Sequence, residues 1–140
     1  MSPRKRSSSI RSKSVSRIIF VLGGSASGKS EIALRLAGSK GPRAFVATGQ
    51  GLDAEMSARI ARHQATRAAD WETAEIPLEL AAWFACAGSR YQTIVVDCVT
   101  LWLSNLQGSG MKEPLVLKRV AGLLEAMRKT KARIVIVSNE

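Results

Sequence analysis

Residues 18–36 read IIFVLGGSASGKSEIALRL, and GGSASGKS at residues 23–30 fills every fixed position of the phosphate-binding pattern G-x-x-x-x-G-K-[ST]. The apolar run before the loop predicts a strand, and the residues after it predict a helix. That arrangement points successive backbone N–H groups and the helix dipole at one anion. Lys29 then reaches the β- and γ-phosphates, and the Ser30 hydroxyl binds Mg²⁺. We therefore predict a nucleoside triphosphate site, with a glycine-rich turn that meets the pattern by chance as the alternative. Its loop residues are Gly23, Gly24, Ser25, Ala26, Ser27, Gly28, Lys29 and Ser30.

Four short apolar runs recur along the chain with helical segments between them. Each run is nearly continuous in apolar residues, which is typical of a strand that is covered on both faces. The runs are Ile18–Leu22, Ala44–Thr48, Thr93–Asp97 and Arg133–Val137, and the predicted helices are Glu31–Ala37, Asp53–Gln64, Pro77–Ala87 and Leu115–Lys129. This alternation predicts an α/β fold with a mostly parallel sheet flanked by helices, of the type found in phosphate-loop nucleotide-binding proteins.

The positive charge of the chain is concentrated in its first seventeen residues. The chain has 140 residues and a net charge of +10, of which the tail contributes +6 from six arginines and lysines without any acid. A Ser/Arg/Lys composition cannot bury apolar surface, so we predict a disordered tail at residues 1–17 and one nucleotide-binding domain at residues 18–140. A solvated leader is the favoured interpretation. Contact with nucleic acid, contact with an acidic membrane surface, and an organelle transit peptide are the alternatives.

Composition also limits the compartment and the metal chemistry. No stretch reaches transmembrane length, so we predict no membrane span. Two cysteines, Cys86 and Cys98, and a single histidine cannot complete a structural zinc site without carboxylates. A cytoplasmic protein with reduced thiols is the simplest account.

Ligands of open α/β sheets bind at the carboxyl ends of the strands. Three of the predicted strands end in, or are followed there by, residues that could contact a ligand. Asp97 fits the acid that helps to hold Mg²⁺ beside a phosphate loop, although an acid after a strand is more often a helix cap. Gly49-Gln50-Gly51 would let the backbone approach a ligand closely, with an ordinary turn as the alternative. Ser138-Asn139-Glu140 offers polar groups that could meet a phosphate or a metal-bound water.

A cluster of basic residues surrounds the only histidine of the chain. Arg59, Arg62, His63 and Arg67 stand at relative positions i, i+3, i+4 and i+8, which lie along one side of a helix. Guanidinium groups there suit a polyphosphate, and their charge would lower the imidazole pKa and leave a lone pair free to attack phosphorus. Alternatively, His63 faces the core with nearby apolar residues while the arginines are solvated.

From Phe20 to Glu140 the chain resembles the bifunctional adenosylcobinamide kinase/adenosylcobinamide-phosphate guanylyltransferase family. The run from Glu55 to Glu75 is the most specific part, because generic phosphate-loop kinases do not carry it. The matching stretches are the phosphate loop, Ala47–Gln50, Asp53–Ile60, His63…Arg67…Trp71…Thr73–Glu75, Asp97–Thr100…Trp102…Asn105-Leu106 and Val137–Glu140.

The resemblance implies two activities in one protein. A nucleoside triphosphate, ATP or GTP, phosphorylates adenosylcobinamide, and GTP then donates GMP to adenosylcobinamide phosphate. In this family a histidine carries GMP covalently, and His63 matches that position. The resemblance further implies that Thr66, Arg67, Glu75 and Asp97 line the nucleotide site, that Ser30 and Asp97 hold Mg²⁺, and that the protein is a homotrimer. We expect no specific nucleic-acid partner.

The chain departs from the family pattern at three points. Ala26 stands where the family usually has arginine, and Asp97 replaces the more usual glutamate. The family also continues past Asn139-Glu140 with a further helix and strands, so we expect a domain that is incomplete at its carboxyl end.

Other functions stay open from the residues alone. A different small-metabolite kinase would use His63 only structurally, and a non-catalytic nucleotide-binding fragment would transfer nothing. A regulatory GTPase is disfavoured because no N-K-x-D guanine-reading motif is present. A nucleic-acid-binding ATPase would have to use the basic tail, which lacks aromatic residues for base stacking.

Overall fold

Five strands and four α-helices follow one another in the computed structural model, which describes residues 18–23, 28–49 and 71–139. They are β1 (Ile18–Gly23), α1 (Lys29–Ala37), β2 (Arg43–Ala47), β3 (Trp71–Glu75), α2 (Leu80–Ala87), β4 (Thr93–Asp97), α3 (Val99–Gly108), α4 (Glu113–Lys129) and β5 (Arg133–Asn139), with a 3₁₀ turn at Gly88–Arg90. All four strand pairs are parallel, in the order β1-β5-β4-β2-β3. The predicted α/β fold with a parallel sheet and flanking helices is confirmed.

The interior strands β2, β4 and β5 bury side chains on both faces of the sheet, because successive side chains of a strand point to opposite faces. On one face, Ile94, Val96, Ile134 and Ile136 pack with residues of α2, α3 and α4. On the other face, Val95, Val135 and Val137 pack beneath α1, which contributes the fully buried Ala33 and Ala37. Burying each such Val or Ile is worth about 1.5–3 kcal/mol. This burial fixes the register in which the carboxyl ends of the strands meet.

The strand β3 was not among the predicted strands. Its sequence, WETAE, contains two glutamates and shows only partial burial. It lies at one edge of the sheet, where β2 is its single neighbour among the described strands. An edge strand needs no continuous apolar run, so the pattern that identified the buried strands could not detect it.

Two helices also differ from prediction. The prediction for α2 was wrong at its start: the helix begins at Leu80, and Pro77 lies before it in a turn, where its carbonyl accepts a hydrogen bond from Asn105. The helix α3 was not predicted, because it begins with two β-branched residues and is stabilised by tertiary burial of Trp102 and Leu106. The predicted helix Asp53–Gln64 lies outside the described residues.

The strand β1 forms the opposite edge of the described sheet. Its neighbour β5 lies between β1 and β4, so the last predicted strand is an interior one. On β1, Phe20 is 53% and Leu22 is 65% exposed. Two large apolar side chains thus remain uncovered by the described residues on this edge.

Tyr91, just before β4, links the amino-terminal ends of two strands. Its hydroxyl donates a 2.5 Å hydrogen bond to Oε1 of Glu72 in β3, and its ring stacks on Trp83 at 5.8 Å. Burial, then the hydrogen bond to Glu72 and the charge of that carboxylate, raise the Tyr91 pKa, while Arg90 opposes the shift. Because the folded state favours the neutral phenol, this interaction stabilises the fold at neutral pH and is lost as the pH rises past the ordinary tyrosine pKa.

Because Tyr91 is the only tyrosine, ultraviolet absorbance of the phenolate titrates it directly. We expect a midpoint above 10.0 in the folded protein and near that value in urea. Glu72→Gln keeps an acceptor but removes the charge, so its midpoint should fall between the two. A wild-type midpoint that is equal in the folded and unfolded proteins would contradict the buried contact.

Candidate functional site

The described part of the phosphate loop joins β1 to α1. The strand ends at Gly23, and Gly28 is the N-cap of α1 with φ 75° and ψ 24°. This left-handed conformation favours glycine over residues with a side chain. Because glycine has no side chain, the N-cap residue itself cannot bond the first N–H groups of α1. The amino terminus of α1 therefore begins with the geometry that suits an anion.

Two charged side chains are buried near the carboxyl edge of the sheet. Lys29, the first residue of α1, is 5% exposed, and Asp97, the last residue of β4, is 6% exposed. Lysine and aspartate are almost never so buried unless they are paired or hold a ligand. The structure thus brings a cation and a carboxylate to the end of the sheet where ligands of this fold class bind.

A second carboxylate lies level with Asp97 on the sheet. Ala47 of β2 is in register with Asp97 on one side and with Glu75 of β3 on the other. Two interstrand spacings separate the two acids, or about 10 Å. The alternation of side chains puts Asp97, Ala47 and Glu75 on the same face as α1. Because the side chain of Ala47 is small, it leaves space between the carboxylates of Asp97 and Glu75.

The strand order separates Glu75 from the phosphate loop. The strands β1 and β3 are at opposite edges of the sheet, four interstrand spacings apart, or about 19 Å. Asp97 is only two spacings from β1, about 10 Å. Asp97 is thus the nearer of the two carboxylates to a group bound at the loop.

The hydroxyl of Thr48 joins the ends of β2 and β4. It donates to the carbonyl of Cys98 at 2.8 Å and accepts from the N–H of Cys98 at 3.0 Å. The N–H of Thr48 donates to the carbonyl of Asp97 at 3.0 Å. Thr48 is fully buried, so each of these bonds forms where water cannot replace it. This residue fixes the backbone around Asp97.

Two side chains of α3 extend this support to the segment after β3. Nδ2 of Asn105 donates to the carbonyls of Thr48 and Pro77, each at 3.0 Å. Nε1 of Trp102 donates to the carbonyl of Leu78 at 2.8 Å. The end of β2 and the turn after β3 are therefore both held by one helix.

A pair of hydroxyls links α3 to β5 beside the phosphate loop. Oγ1 of Thr100 and Oγ of Ser138 are 2.9 Å apart. Ser138 is in register with Leu22, the residue before Gly23. The carboxyl ends of β4 and β5 are thereby connected next to the start of the loop.

The predicted site residues divide into those inside and those outside the described ranges. Gly23, Gly28, Lys29, Gly49, Glu75 and Asp97 are described, and all lie at the carboxyl edge of the sheet. Gly49 is buried immediately after Thr48. The residues outside are Gly24, Ser25, Ala26, Ser27, Gln50, Gly51, His63, Thr66 and Arg67, and for Ser30 only the backbone is described, within α1.

Sequence reasoning did not identify the supporting roles of Thr48, Thr100 and Asn105. No local signal marked Thr48, whose partner Cys98 is fifty residues away. No local signal marked Asn105 either, whose partners Thr48 and Pro77 are 57 and 28 residues away.

The described residues contain neither a protein-only metal site nor a membrane-spanning helix. No group of three or more His, Cys, Asp or Glu side chains there could form a protein-only metal site. No helix among them combines the length and apolarity needed to cross a bilayer.

Comparison with known proteins matches nearly the whole described chain. The family model described as cobinamide kinase / cobinamide phosphate guanyltransferase matches residues 19–140. The chain is 45% identical over 122 residues to the bifunctional adenosylcobalamin biosynthesis protein CobP of Pseudomonas aeruginosa, covering 86% of this chain and 70% of that relative. It is 31% identical over 135 residues to the bifunctional adenosylcobalamin biosynthesis protein CobU of Escherichia coli, covering 88% of this chain and 75% of that relative. The protein of the same name from Salmonella typhimurium is 32% identical over 135 residues, with the same two coverages.

The Thr48 hydroxyl can be tested by isosteric replacement. Thr48→Val leaves the buried N–H and carbonyl of Cys98 without these bonds, so we expect the free energy of unfolding to fall by about 2–3 kcal/mol. Thr48→Ser keeps the hydroxyl and loses one methyl group, which should cost about 1 kcal/mol. Urea denaturation measures both, and a Val variant as stable as wild type would contradict the described bonds.

Proposed function

The chain belongs to the cobinamide kinase / cobinamide phosphate guanyltransferase family, and on that premise we propose how its residues divide the two reactions. It is a transferase of cobalamin biosynthesis that acts as a kinase and as a guanylyltransferase. The observation that carries the residue assignment is the burial of Lys29, at the start of α1, and of Asp97, at the end of β4, at the same edge of the sheet. The two reactions share this edge of the sheet.

In the first reaction the hydroxyl of adenosylcobinamide attacks the γ-phosphorus of a nucleoside triphosphate. A bond forms between the hydroxyl oxygen and phosphorus, the bond to the β-phosphate oxygen breaks, and the nucleoside diphosphate and the hydroxyl proton leave. Lys29 and the first N–H groups of α1 stabilise the negative charge on the phosphates. The other loop residues, from Gly23 to Ser30, wrap the same phosphates.

The donor set at this edge fits Mg²⁺. Magnesium in such enzymes is usually held by one or two carboxylates together with substrate phosphates, rather than by an all-protein cage. Asp97 is a hard oxygen donor on the α1 face, where no larger cluster of ligands accompanies it among the described residues. Asp97 and the Ser30 hydroxyl would hold the ion, which neutralises charge on the transferring phosphate.

In the second reaction His63 serves as the nucleophile. Its unprotonated nitrogen attacks the α-phosphorus of GTP, a P–N bond forms, and pyrophosphate leaves as its P–O bond breaks. A phosphate oxygen of adenosylcobinamide phosphate then attacks the same phosphorus and releases the histidine, giving adenosylcobinamide-GDP. Arg59, Arg62 and Arg67 would offset charge on the α-phosphate during both displacements.

Further residues complete the proposed nucleotide site. Gly49, Gln50, Gly51, Thr66 and Glu75 line it together with Arg67 and Asp97. The separation of about 19 Å between β1 and β3 means that Glu75 meets a part of the ligand remote from the loop phosphates. We also propose a homotrimer that works in the cytoplasm, with ATP, GTP and adenosylcobinamide as its ligands.

The covalent step distinguishes this proposal from a plain small-metabolite kinase. We expect α-labelled GTP to leave an acid-labile, base-stable label on the wild-type protein, because phosphoramidates have that stability pattern. His63→Ala should abolish the label while leaving GTP binding and γ-phosphate transfer largely intact. Gln64→Ala is the control and should label as wild type does. Equal labelling of wild type and His63→Ala would rule out the guanylyl-histidine.

The role of Asp97 can be tested through the magnesium requirement. Asp97→Asn removes the charge at nearly constant shape, so the Mg²⁺ concentration for half-maximal kinase rate should rise about 10- to 100-fold. Asp97→Glu keeps the charge with a longer reach and should lie closer to wild type. If all three proteins need the same Mg²⁺ concentration, Asp97 does not serve the metal.

A further inference from the structure

The end of the sheet opposite the phosphate loop carries two adjoining cavities. The larger, of about 790 Å³, lies between the end of α1 and the first residues of β4 and β5. The smaller, of about 450 Å³, lies beside the start of β4 and the end of α4. Gln92 and Lys131 line both, so the cavities form one surface, which we call the basic edge.

The basic edge combines a concave shape with a cluster of positive charges. Its charged lining residues are Arg35, Lys40, Lys129, Lys131 and Arg133. None of the described residues that line either cavity is acidic. Within the described ranges, the structure gives none of these five cations an acidic partner. Gathering five like charges raises the electrostatic energy of the fold, and a bound anion would relieve it.

Helix capping accounts for only part of this cluster. Nε of Arg133 donates to the carbonyl of Leu36 at 3.0 Å, at the carboxyl end of α1, where a cation is favourable. That bond also holds the Arg133 guanidinium at the cavity wall. No corresponding bond involves the side chain of Lys40 or Lys131 in the described structure, so capping does not explain why these lysines are there.

We propose that the basic edge binds a compact polyphosphate anion, of the class that includes pyrophosphate and the phosphate tail of a nucleotide. A cavity of this size matches those that bind small molecules. A single-stranded nucleic acid fits less well, because it would need exposed aromatic rings for stacking. Tyr91 is the only aromatic residue that lines either cavity, and it is buried against Trp83.

The basic edge is separate from the nucleotide site. The strand β5 runs from Arg133, at the basic edge, to Asn139, which is in register with Gly23. Six residue steps along a strand correspond to about 20 Å. One small polyphosphate cannot span that distance, so an anion at the basic edge is additional to one at the loop.

The test is a titration of pyrophosphate into the isotopically labelled full chain, followed by nuclear magnetic resonance of backbone amides. The amides of Ser39, Gln92 and Lys131 report the basic edge, and those of Gly23 and Gly28 report the loop. We expect saturable shifts at both sets with separate midpoints. A loop that fails to respond would count against the proposed function without touching this inference.

Charge reversal at the basic edge supplies the matched comparison. Lys131→Glu should weaken binding at the basic edge about tenfold, as expected for one lost charge-assisted contact. Lys118→Glu makes the same change in net charge on an exposed position of α4 and should leave that midpoint within about twofold. Circular dichroism serves as the control that both variants fold.

Three outcomes would overturn the inference. The first is an absence of saturable shifts at the basic edge. The second is equal weakening by Lys131→Glu and Lys118→Glu, which would reveal only general attraction to a basic protein. The third is tighter binding of a short single-stranded oligonucleotide than of pyrophosphate at the same amides, which would assign the surface to nucleic acid.

Discussion

The buried hydroxyl of Thr48 connects the carboxyl ends of β2 and β4, where the proposed nucleotide site lies. It bonds both backbone groups of Cys98, and the Thr48 N–H holds the carbonyl of Asp97. Asn105 then ties Thr48 to the turn after β3. Because parallel strands give no side-by-side hairpin contacts at their ends, such cross-strand bonds must supply the rigidity that a reacting site needs.

Charge is distributed along the strands with a clear polarity. Buried Lys29 and Asp97 stand at the carboxyl edge, whereas the cations of the basic edge stand around the amino-terminal ends. Val and Ile of β4 and β5 contribute to the core that lies between them. About 20 Å of strand therefore separates the two charged regions, which is too far for one small ligand to contact both.

The sequence predicted the parts of the fold that depend on local patterns. The phosphate loop GGSASGKS could be recognised from the sequence, because phosphate binding requires those residue types. The strands β4 and β5 could be recognised from their apolar runs, because burial on both faces requires apolar residues. The strand β3 escaped detection because an edge position tolerates glutamate. The level arrangement of Asp97, Ala47 and Glu75 was not predictable either, since it depends on strand order, which no short stretch encodes. The assignment of His63 came from a family resemblance.

The strands β1 and β5 pair although they are far apart in the sequence, so the ribosome makes them at different times. Ile18 is in register with Ile134, so β1 leaves the ribosome 116 residues before its partner. At about 5–20 residues per second, that delay is roughly 6–23 s. Throughout it, the strand that carries the phosphate loop lacks its neighbour in the described sheet, and its apolar side chains face the surroundings. The strand that precedes the phosphate loop thus gains its described partner only when β5 emerges.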